Sequence, residues 1–383
     1  MRKNSILILL CLSLLLCGCS GYGRRYVSVT PHRAQREHSE DQAASAANSL
    51  ELMRVLEDVI RDGRESVLIY IPNYPEKFVI SGMEVAVGYA METYPLGAYA
   101  VDRIHYEVGT TRGVPAMAVT VTYRHNDVEM RQIRDISRME EAEPLVAAAL
   151  KNFDSRLVMR AEVYFETDFQ QMARDYAETY PEIVMEIPQV TQETYGSGSE
   201  RVVELSFAYQ TSRDSLRQMQ SQVRPVFSAA ELYVSGNGSN LQKYSQLYAF
   251  LMERFDYQLE TSITPTYSLV HHGVGDSRAF ATVYAAMCRR AGLECLVVTG
   301  TRSGEPWVWN MVKIGDEFLH VDLLRCSEEG RFRGYAEQNM TGYVWDYSAY
   351  PESAVIPESE AMEQAQLPTI PEETVPEIIS KEK

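Results

Sequence analysis

Residues 273–322 decide the fold of this chain and read GVGDSRAFATVYAAMCRRAGLECLVVTGTRSGEPWVWNMVKIGDEFLHVD. The glycines at the start of the stretch predict a turn, and the apolar residues that follow are spaced as in a helix of about four turns. After this helix the pattern predicts a buried strand and then a strand hairpin. The sequence therefore predicts an α+β domain in which one helix packs on an antiparallel sheet.

Six short motifs lie in or after this stretch. They are MCRRAGLEC (287–295), VVTG (297–300), WNMV (309–312), HVD (320–322), YVWD (343–346) and YP (350–351). In this order and spacing they resemble the bacterial transglutaminase-like family, within the papain-like superfamily. The resemblance covers residues 241–351 and implies a papain-like fold whose active members use a cysteine, a histidine and an aspartate.

Two of these three positions lack the residue type that catalysis needs. In the family the cysteine stands three residues before an aromatic–Ala pair, which is Phe280–Ala281 here, so Ser277 takes its place. The histidine stands two residues before the Trp–Asn pair, and that position is Trp307. A thiolate is the attacking species in such enzymes, and an indole cannot accept a proton. With only Asp322 in place, we expect a catalytically degenerate member with no catalytic residues.

Two interpretations of these positions remain open. One is a relocated site in which Ser277 is the nucleophile and His320 or His271 is the base, since His320 lies two residues from Asp322 on the same strand face. The other is structural: Ser277 caps the helix N-terminus, and Asp322 accepts hydrogen bonds from neighbouring backbone or from Trp307. The structural interpretation is favoured.

Two tryptophans add a candidate binding surface. Trp307 and Trp309 alternate along one predicted strand and therefore share a face. Their rings can form a stacking surface for a sugar or an extended peptide, or they can pack in the core. Both interpretations remain open, and both residues are candidates for binding.

The first nineteen residues have the pattern of a targeting segment. Arg2 and Lys3 precede an apolar segment, residues 6–16, that is too short to span a bilayer comfortably. The following Leu-Cys-Gly-Cys, residues 16–19, resembles the bacterial lipobox, in which the chain is cut before a cysteine whose thiol receives a diacylglycerol. The resemblance implies a signal peptide over residues 1–18, lipidation of Cys19 and a mature protein anchored at the outer face of the cell membrane.

Polar segments flank the predicted domains. Residues 19–50 lack sustained periodicity and predict a flexible linker, and residues 352–383 are acidic and proline-dotted and predict a disordered tail. The formal net charge of -17 argues against a nucleic-acid partner, which would require clustered Lys and Arg. No Cys/His spacing typical of a metal site occurs, and no cofactor is expected. The sequence leaves open whether Cys288, Cys295 and Cys326 include a disulfide.

One module occurs twice before the transglutaminase-like region, as copy 1 (51–140) and copy 2 (141–240). The tetrapeptide ETYP at 92–95 recurs at 178–181. Each copy predicts strand, helix, strand, strand, helix, with alternating apolar residues that give each strand one covered face. Further residues match at the same offset: Met117, Val119, Val121 and Tyr123 with Val203, Leu205, Phe207 and Tyr209.

The repeated tyrosines allow two interpretations. They are either contacts for a partner or packing residues, and packing is favoured because aromatic residues at strand and helix ends usually pack. The residues are Tyr94, Tyr123, Tyr180 and Tyr209.

Together these features predict a membrane-anchored, extracytoplasmic protein that binds rather than catalyses. Its predicted partners are the membrane, through the lipid on Cys19, and either cell-wall peptide or glycan or another envelope protein. The alternative is an active amide hydrolase or acyltransferase that uses Ser277 with His320 or His271.

Overall fold

The computed structural model describes residues 43–234, 236–259 and 262–353. Within them, no helix is long and apolar enough to cross a bilayer. The predicted signal peptide, Cys19, most of the linker and nearly all of the acidic tail lie outside the described residues. The described residues form an α+β fold with three four-stranded sheets and one two-stranded ladder.

Copy 1 of the module is built on the first sheet, with strand order β1-β2-β4-β3. Strands β1 and β2 are parallel, and the other two pairs are antiparallel. A helix that enters a π-helical turn (Tyr89–Thr93) covers the sheet and is followed at Pro95 by a new short helix. The elements are β1 (Ala43–Ser45), α1 (Ser49–Arg61), β2 (Ser66–Tyr70), α2 (Glu76–Gly88), α3 (Pro95–Ala100), β3 (Val101–Thr111), β4 (Val114–Tyr123) and α4 (Asp127–Met130).

Copy 2 repeats this arrangement on the second sheet, with strand order β5-β6-β8-β7. Its first pair is again parallel and its other two pairs are antiparallel. The elements are β5 (Arg134–Arg138), α5 (Ala142–Asn152), β6 (Arg156–Val163), α6 (Phe169–Thr179), β7 (Gln189–Tyr195) and β8 (Arg201–Ala208).

Equivalent strand residues occupy equivalent places in the two cores. On β4, Met117, Val119 and Val121 are buried, and so are their three counterparts on β8. Val119 lies opposite Val67 of the neighbouring strand, as Leu205 lies opposite Leu157 in copy 2. The period-2 pattern that reveals the repeat therefore reflects one buried face in each sheet.

The strand, helix, strand, strand and helix predicted for each module are present in that order, but each module is longer than predicted at its start. Each copy begins with an additional strand and helix, so that β1 and the start of α1 lie inside the predicted linker and β5 lies inside the predicted copy 1. Both missed strands are sheet edges, and their burial is slight: one intermediate residue in β1 and one buried residue in β5. A strand with so little buried surface carries no alternating apolar pattern, which is the signal that sequence reading depends on.

The third domain packs helix α10 on an antiparallel sheet of order β13-β12-β11-β14. Strands β9 and β10 form a short parallel ladder directly before α10. A π-helical turn (Ser268–His272) follows α9. The elements are α7 (Arg213–Tyr233), α8 (Asn240–Met252), β9 (Asp256–Tyr257), α9 (Pro265–Tyr267), β10 (Val274–Gly275), α10 (Ser277–Arg290), β11 (Cys295–Arg302), β12 (Glu305–Ile314), β13 (Glu317–Val321), α11 (Leu323–Glu328) and β14 (Tyr343–Trp345).

Helix α10 forms the centre of this domain, and nearly all its side chains from Ser277 to Cys288 are buried. Helix α7 packs into the same core through Leu216 and Phe227, among others. The domain boundary predicted at residue 241 is therefore wrong, because the preceding helix already belongs to the third core. At the other end, Ser353 pairs with Phe318, so the packed part runs slightly beyond residue 351.

Candidate functional site

Ser277 is the first residue of α10 and not its cap. The N-cap is Asp276, whose backbone is extended and whose carboxylate accepts a hydrogen bond from the Ala279 N–H at 2.8 Å. Ser277 already has helical geometry, so its hydroxyl cannot serve as the N-cap acceptor. Its Oγ instead accepts a hydrogen bond from the Val308 N–H at 3.3 Å. The prediction that Ser277 caps the helix is therefore wrong, and the hydroxyl ties the helix to β12.

The space around Ser277 is filled. Ser277 is only 8% exposed, and the side chains between it and Asp322 leave no room for a water molecule. Asn310 is fully buried there and donates hydrogen bonds to the carbonyls of Ala281 and Leu296, which fastens β12 to α10 and β11.

Asp322 is buried and fully occupied with hydrogen bonds. Its Oδ1 accepts from the backbone N–H groups of Leu324 and Arg325, which makes it the N-cap of α11. Its Oδ2 accepts from the Trp307 indole at 2.8 Å and from the Tyr343 hydroxyl at 2.6 Å. Both contacts expected from the sequence, to neighbouring backbone and to Trp307, are present. The carboxylate therefore joins the end of β13 and the start of α11 to Trp307 on β12 and Tyr343 on β14.

Trp307 occupies the place that the family resemblance gives to a base, and it can only donate. Its Nε1–H points to Asp322, so the indole makes the contact to the aspartate that an imidazole N–H would make. The Arg302 guanidinium lies 5.2 Å from the indole centroid and also approaches Asp322 at 3.5 Å. Arg302 also donates to Glu328 at 2.7 Å, so its positive charge is balanced by two carboxylates.

Trp309 is a core residue. It is 1% exposed, and its ring packs edge-on against Tyr343 and Trp345. Its indole N–H donates to His320 Nδ1 at 3.0 Å. Of the two interpretations left open for the tryptophans, core packing describes Trp309, whereas Trp307 remains half-buried.

The histidines considered as substitute bases have other roles. His320 is 1% exposed, and burial lowers its pKa to about 4, so the ring is neutral near pH 7. Its Nδ1 is already occupied by Trp309. His271 and His272 are exposed on the π-helical turn and lie against the Tyr267 ring. Among the described residues, no hydrogen bond joins Ser277 to a histidine.

The three described cysteines are free thiols. Cys288 and Cys326 are buried, which raises the pKa of the Cys288 thiol well above its usual value and that of Cys326 to about 12. A nucleophilic cysteine requires a thiolate near neutral pH, usually at a helix N-terminus. Cys288 lies near the opposite end of α10, and neither buried thiol meets this requirement.

The contacts between several residues of the site could not be predicted from the sequence. Tyr343, Arg302 and Asn310 are separated along the chain and meet only because β11, β12 and β14 are neighbours in the sheet. Tyr257 reaches the Trp307 ring, at 5.8 Å between centroids, from the short strand β9. The YVWD motif marked Tyr343 as part of the resemblance, but nothing in it indicated a bond to Asp322.

Comparison with known proteins identifies the third domain. Residues 228–323 match the family model described as the transglutaminase-like superfamily. No curated protein matches the sequence. The domain that contains Ser277, Trp307 and Asp322 is thus transglutaminase-like, as the motifs predicted.

Similar solved structures include three of low sequence identity. One is a TGase with 10% identity and a TM-score of 0.25, over 56% of this chain and 63% of that one. Another is a provisionally named cysteine protease from Cytophaga hutchinsonii with 14% identity and a TM-score of 0.25, over 36% and 62%. A third is a provisionally named protease from Parabacteroides distasonis with 7% identity and a TM-score of 0.22, over 67% and 39%. The chain spans less than two thirds of the length of each.

Proposed function

We propose that this chain is a membrane-anchored, extracytoplasmic lipoprotein whose transglutaminase-like domain binds cell-wall peptide or glycan and does not catalyse. The anchor is the lipid on Cys19, following the lipobox-like sequence at residues 16–19. The observation that carries the non-catalytic assignment is the Ser277–Trp307–Asp322 arrangement. A serine without a base, an indole in place of the base and a fully bonded aspartate cannot activate a nucleophile.

The binding surface is the rim around Trp307. This indole is half-buried, with Arg302 against one side and the Tyr257 ring, which is 43% exposed, nearby. Aromatic faces stack on sugar rings and on flat peptide groups. The sugar rings of a glycan strand and the flat groups of an extended peptide match this surface. Because Asp322 fixes the indole, the surface is held in place before a ligand arrives.

Catalysis and binding are tested separately. For catalysis, the wild-type chain, Ser277→Ala, and the Ser277→Cys/Trp307→His double variant are compared for amine incorporation into casein and for labelling by a fluorophosphonate. We expect wild type and Ser277→Ala to give the same background rate and no label on Ser277. Wild-type turnover that Ser277→Ala abolishes, or a label on Ser277 that His320→Ala removes, would establish the active hydrolase or acyltransferase instead.

For binding, cosedimentation with purified cell-wall sacculi is measured for wild type and Trp307→Ala. Loss of a stacking anchor is expected to weaken binding about tenfold. Phe78→Ala is the matched control, since Phe78 is a 52% exposed aromatic residue in copy 1. Equal retention of both variants would refute the Trp307 surface, and capture of an envelope protein in place of sacculi would move the partner to that class.

A further inference from the structure

A cavity of about 340 Å³ lies between the two modules, away from the transglutaminase-like domain. Cavities of this size are typical of small-molecule sites. Copy 1 contributes the ends of α1 and of the π-helical turn, and copy 2 contributes β6 and the turn between β7 and β8. The lining residues are Glu57, Arg61, Tyr89, Thr93, Tyr94, Pro95, Arg160, Ser197, Gly198, Ser199 and Glu200.

The walls of the cavity are held together by backbone contacts. The Ser197 N–H donates to the Thr93 carbonyl at 3.0 Å, and the Tyr164 N–H donates to the Ser199 carbonyl at 2.8 Å. Gly196 packs directly on Pro95: an added Cβ would lie 2.7 Å from the Pro95 Cα. The turn of copy 2 is therefore fixed against copy 1, and the cavity is part of the module interface.

Two arginines, one from each module, line the cavity. Arg61 donates through one Nη to Asp58 at 2.7 Å, and Arg160 donates through Nε to Asp135 at 2.7 Å. Among the described residues, no hydrogen bond uses the Nη groups of Arg160. Each guanidinium has five N–H donors in a planar fork, so both retain donors for a further acceptor.

Tyr94 completes this wall with a buried hydroxyl. The residue is 6% exposed and its hydroxyl is buried; the Arg61 guanidinium lies beside it, although no hydrogen bond of good geometry joins the two among the described residues. Burial raises the pKa of Tyr94, and the positive charges of Arg61 and Arg160 oppose that rise. The hydroxyl therefore supports the wall behind Arg61 and is not itself reached from the cavity.

The opposite charge is supplied by two glutamates on the lining. Glu57 accepts a hydrogen bond from the Tyr89 hydroxyl at 2.5 Å. Glu200 ends the copy 2 turn, 4.0 Å from the Arg160 Nε. The cavity thus presents two cationic groups and two carboxylates within one half-open cleft.

We propose that this cavity binds a zwitterionic ligand, a free amino acid or a short peptide, whose carboxylate lies between Arg61 and Arg160. The carboxylate accepts from both guanidinium forks, and the ammonium of the ligand lies on the Glu57 and Glu200 side. Charge-assisted bonds of this type are the strong hydrogen bonds of proteins. The site is independent of the Trp307 surface and does not rest on the proposed function.

The test is isothermal titration of the full-length chain with alanine and with alanylalanine, each compared with its C-terminal amide and its N-acetyl form. We expect saturable binding of a zwitterionic probe at millimolar concentration or below. Removing either charge of the ligand should weaken binding about tenfold or more. Absence of saturable binding to any zwitterionic probe would overturn the assignment, and so would equal affinity for the amides.

Three variants separate binding from folding. Arg160→Gln should weaken the probe about tenfold, whereas Arg54→Gln, on the exposed face of the same helix as Arg61, should leave the affinity within about twofold. Arg61→Gln changes a side chain that is 52% exposed, so it should weaken the probe about tenfold without loss of thermal stability. An Arg61→Gln variant that binds as well as wild type would refute the carboxylate site, even if Arg160→Gln fails to fold.

Discussion

The same four residues, ETYP, contact the following unit in both copies of the module, but the two contacts differ in their chemistry. In copy 1, the Thr93 carbonyl accepts from the backbone of Ser197, and Tyr94 borders a cavity. In copy 2, the Thr179 carbonyl accepts from the Arg289 guanidinium, and the Tyr180 ring lies 4.3 Å from that guanidinium. One junction is made by backbone and leaves a space, and the other is filled by an arginine.

This difference follows from what comes next in the chain. Copy 1 is followed by another module, which offers a glycine-rich turn. Copy 2 is followed by the third domain, which offers the long, basic face of α10, where Arg278 pairs with Glu178 at 3.0 Å and Arg289 pairs with Glu182 at 2.8 Å. The ETYP segment therefore contacts the next unit of the chain in both copies, although that unit differs. A cavity is present at the junction that no side chain fills.

The largest effect is expected at the backbone junction. In Gly196→Ala the new methyl would lie 2.7 Å from the Pro95 Cα at a residue with φ of 90°, so we expect a loss of about 3 kcal/mol in the free energy of unfolding. Gly198→Ala is the control: φ is 89°, but nothing lies within 4 Å of the added atom, and about 1 kcal/mol is expected. Urea unfolding of both variants measures the difference. Similar losses would mean that the close approach to Pro95 contributes nothing.

A smaller effect is expected at the arginine junction. Arg289→Gln removes the partner of Glu182, whose side chain is only 7% exposed, and should cost about 2 kcal/mol. Arg290→Gln, one residue along, breaks a solvent-exposed pair with Glu231 and should cost about 0.5 kcal/mol or less. Thermal unfolding of the two variants provides the comparison. If Arg290→Gln lowered the stability as much as Arg289→Gln, the Arg289–Glu182 pair would contribute no more than a solvent-exposed ion pair.

The smallest effect is expected for the Tyr94 hydroxyl in the absence of ligand. Because no hydrogen bond of good geometry joins this hydroxyl to a partner, Tyr94→Phe should leave the free energy of unfolding within about 0.5 kcal/mol of wild type. Tyr123→Phe should cost about 1 kcal/mol, since the Tyr123 hydroxyl donates to the carbonyls of Val59 and Arg64. Denaturant titration without added ligand checks the pair. A clear loss for Tyr94→Phe would indicate that its hydroxyl has a stabilising partner.

Most of the third domain could be predicted because its elements carry strong local patterns. The apolar spacing after Gly273 predicted α10, and the motifs around Trp309 and Asp322 placed the sheet and the family. The edge strands β1 and β5 could not be predicted, since they bury almost nothing and owe their conformation to hydrogen bonds with a neighbouring strand. Periodicity indicates that α7 has an apolar face, but it does not indicate which domain covers that face. The packing of α7 in the third core could therefore not be predicted.

By itself, the sequence determined the family of the third domain, the repeat before it and the residue types at the positions that correspond to the family's triad. These follow from side-chain type and spacing, which are local properties of the chain. Only the tertiary structure decided that Ser277 bonds to β12, that Asp322 accepts from Trp307 and Tyr343, and that Arg61 and Arg160 line one cavity. Those outcomes depend on groups far apart in sequence, and their energies depend on burial and on which donors remain unpaired once the sheets and helices have packed.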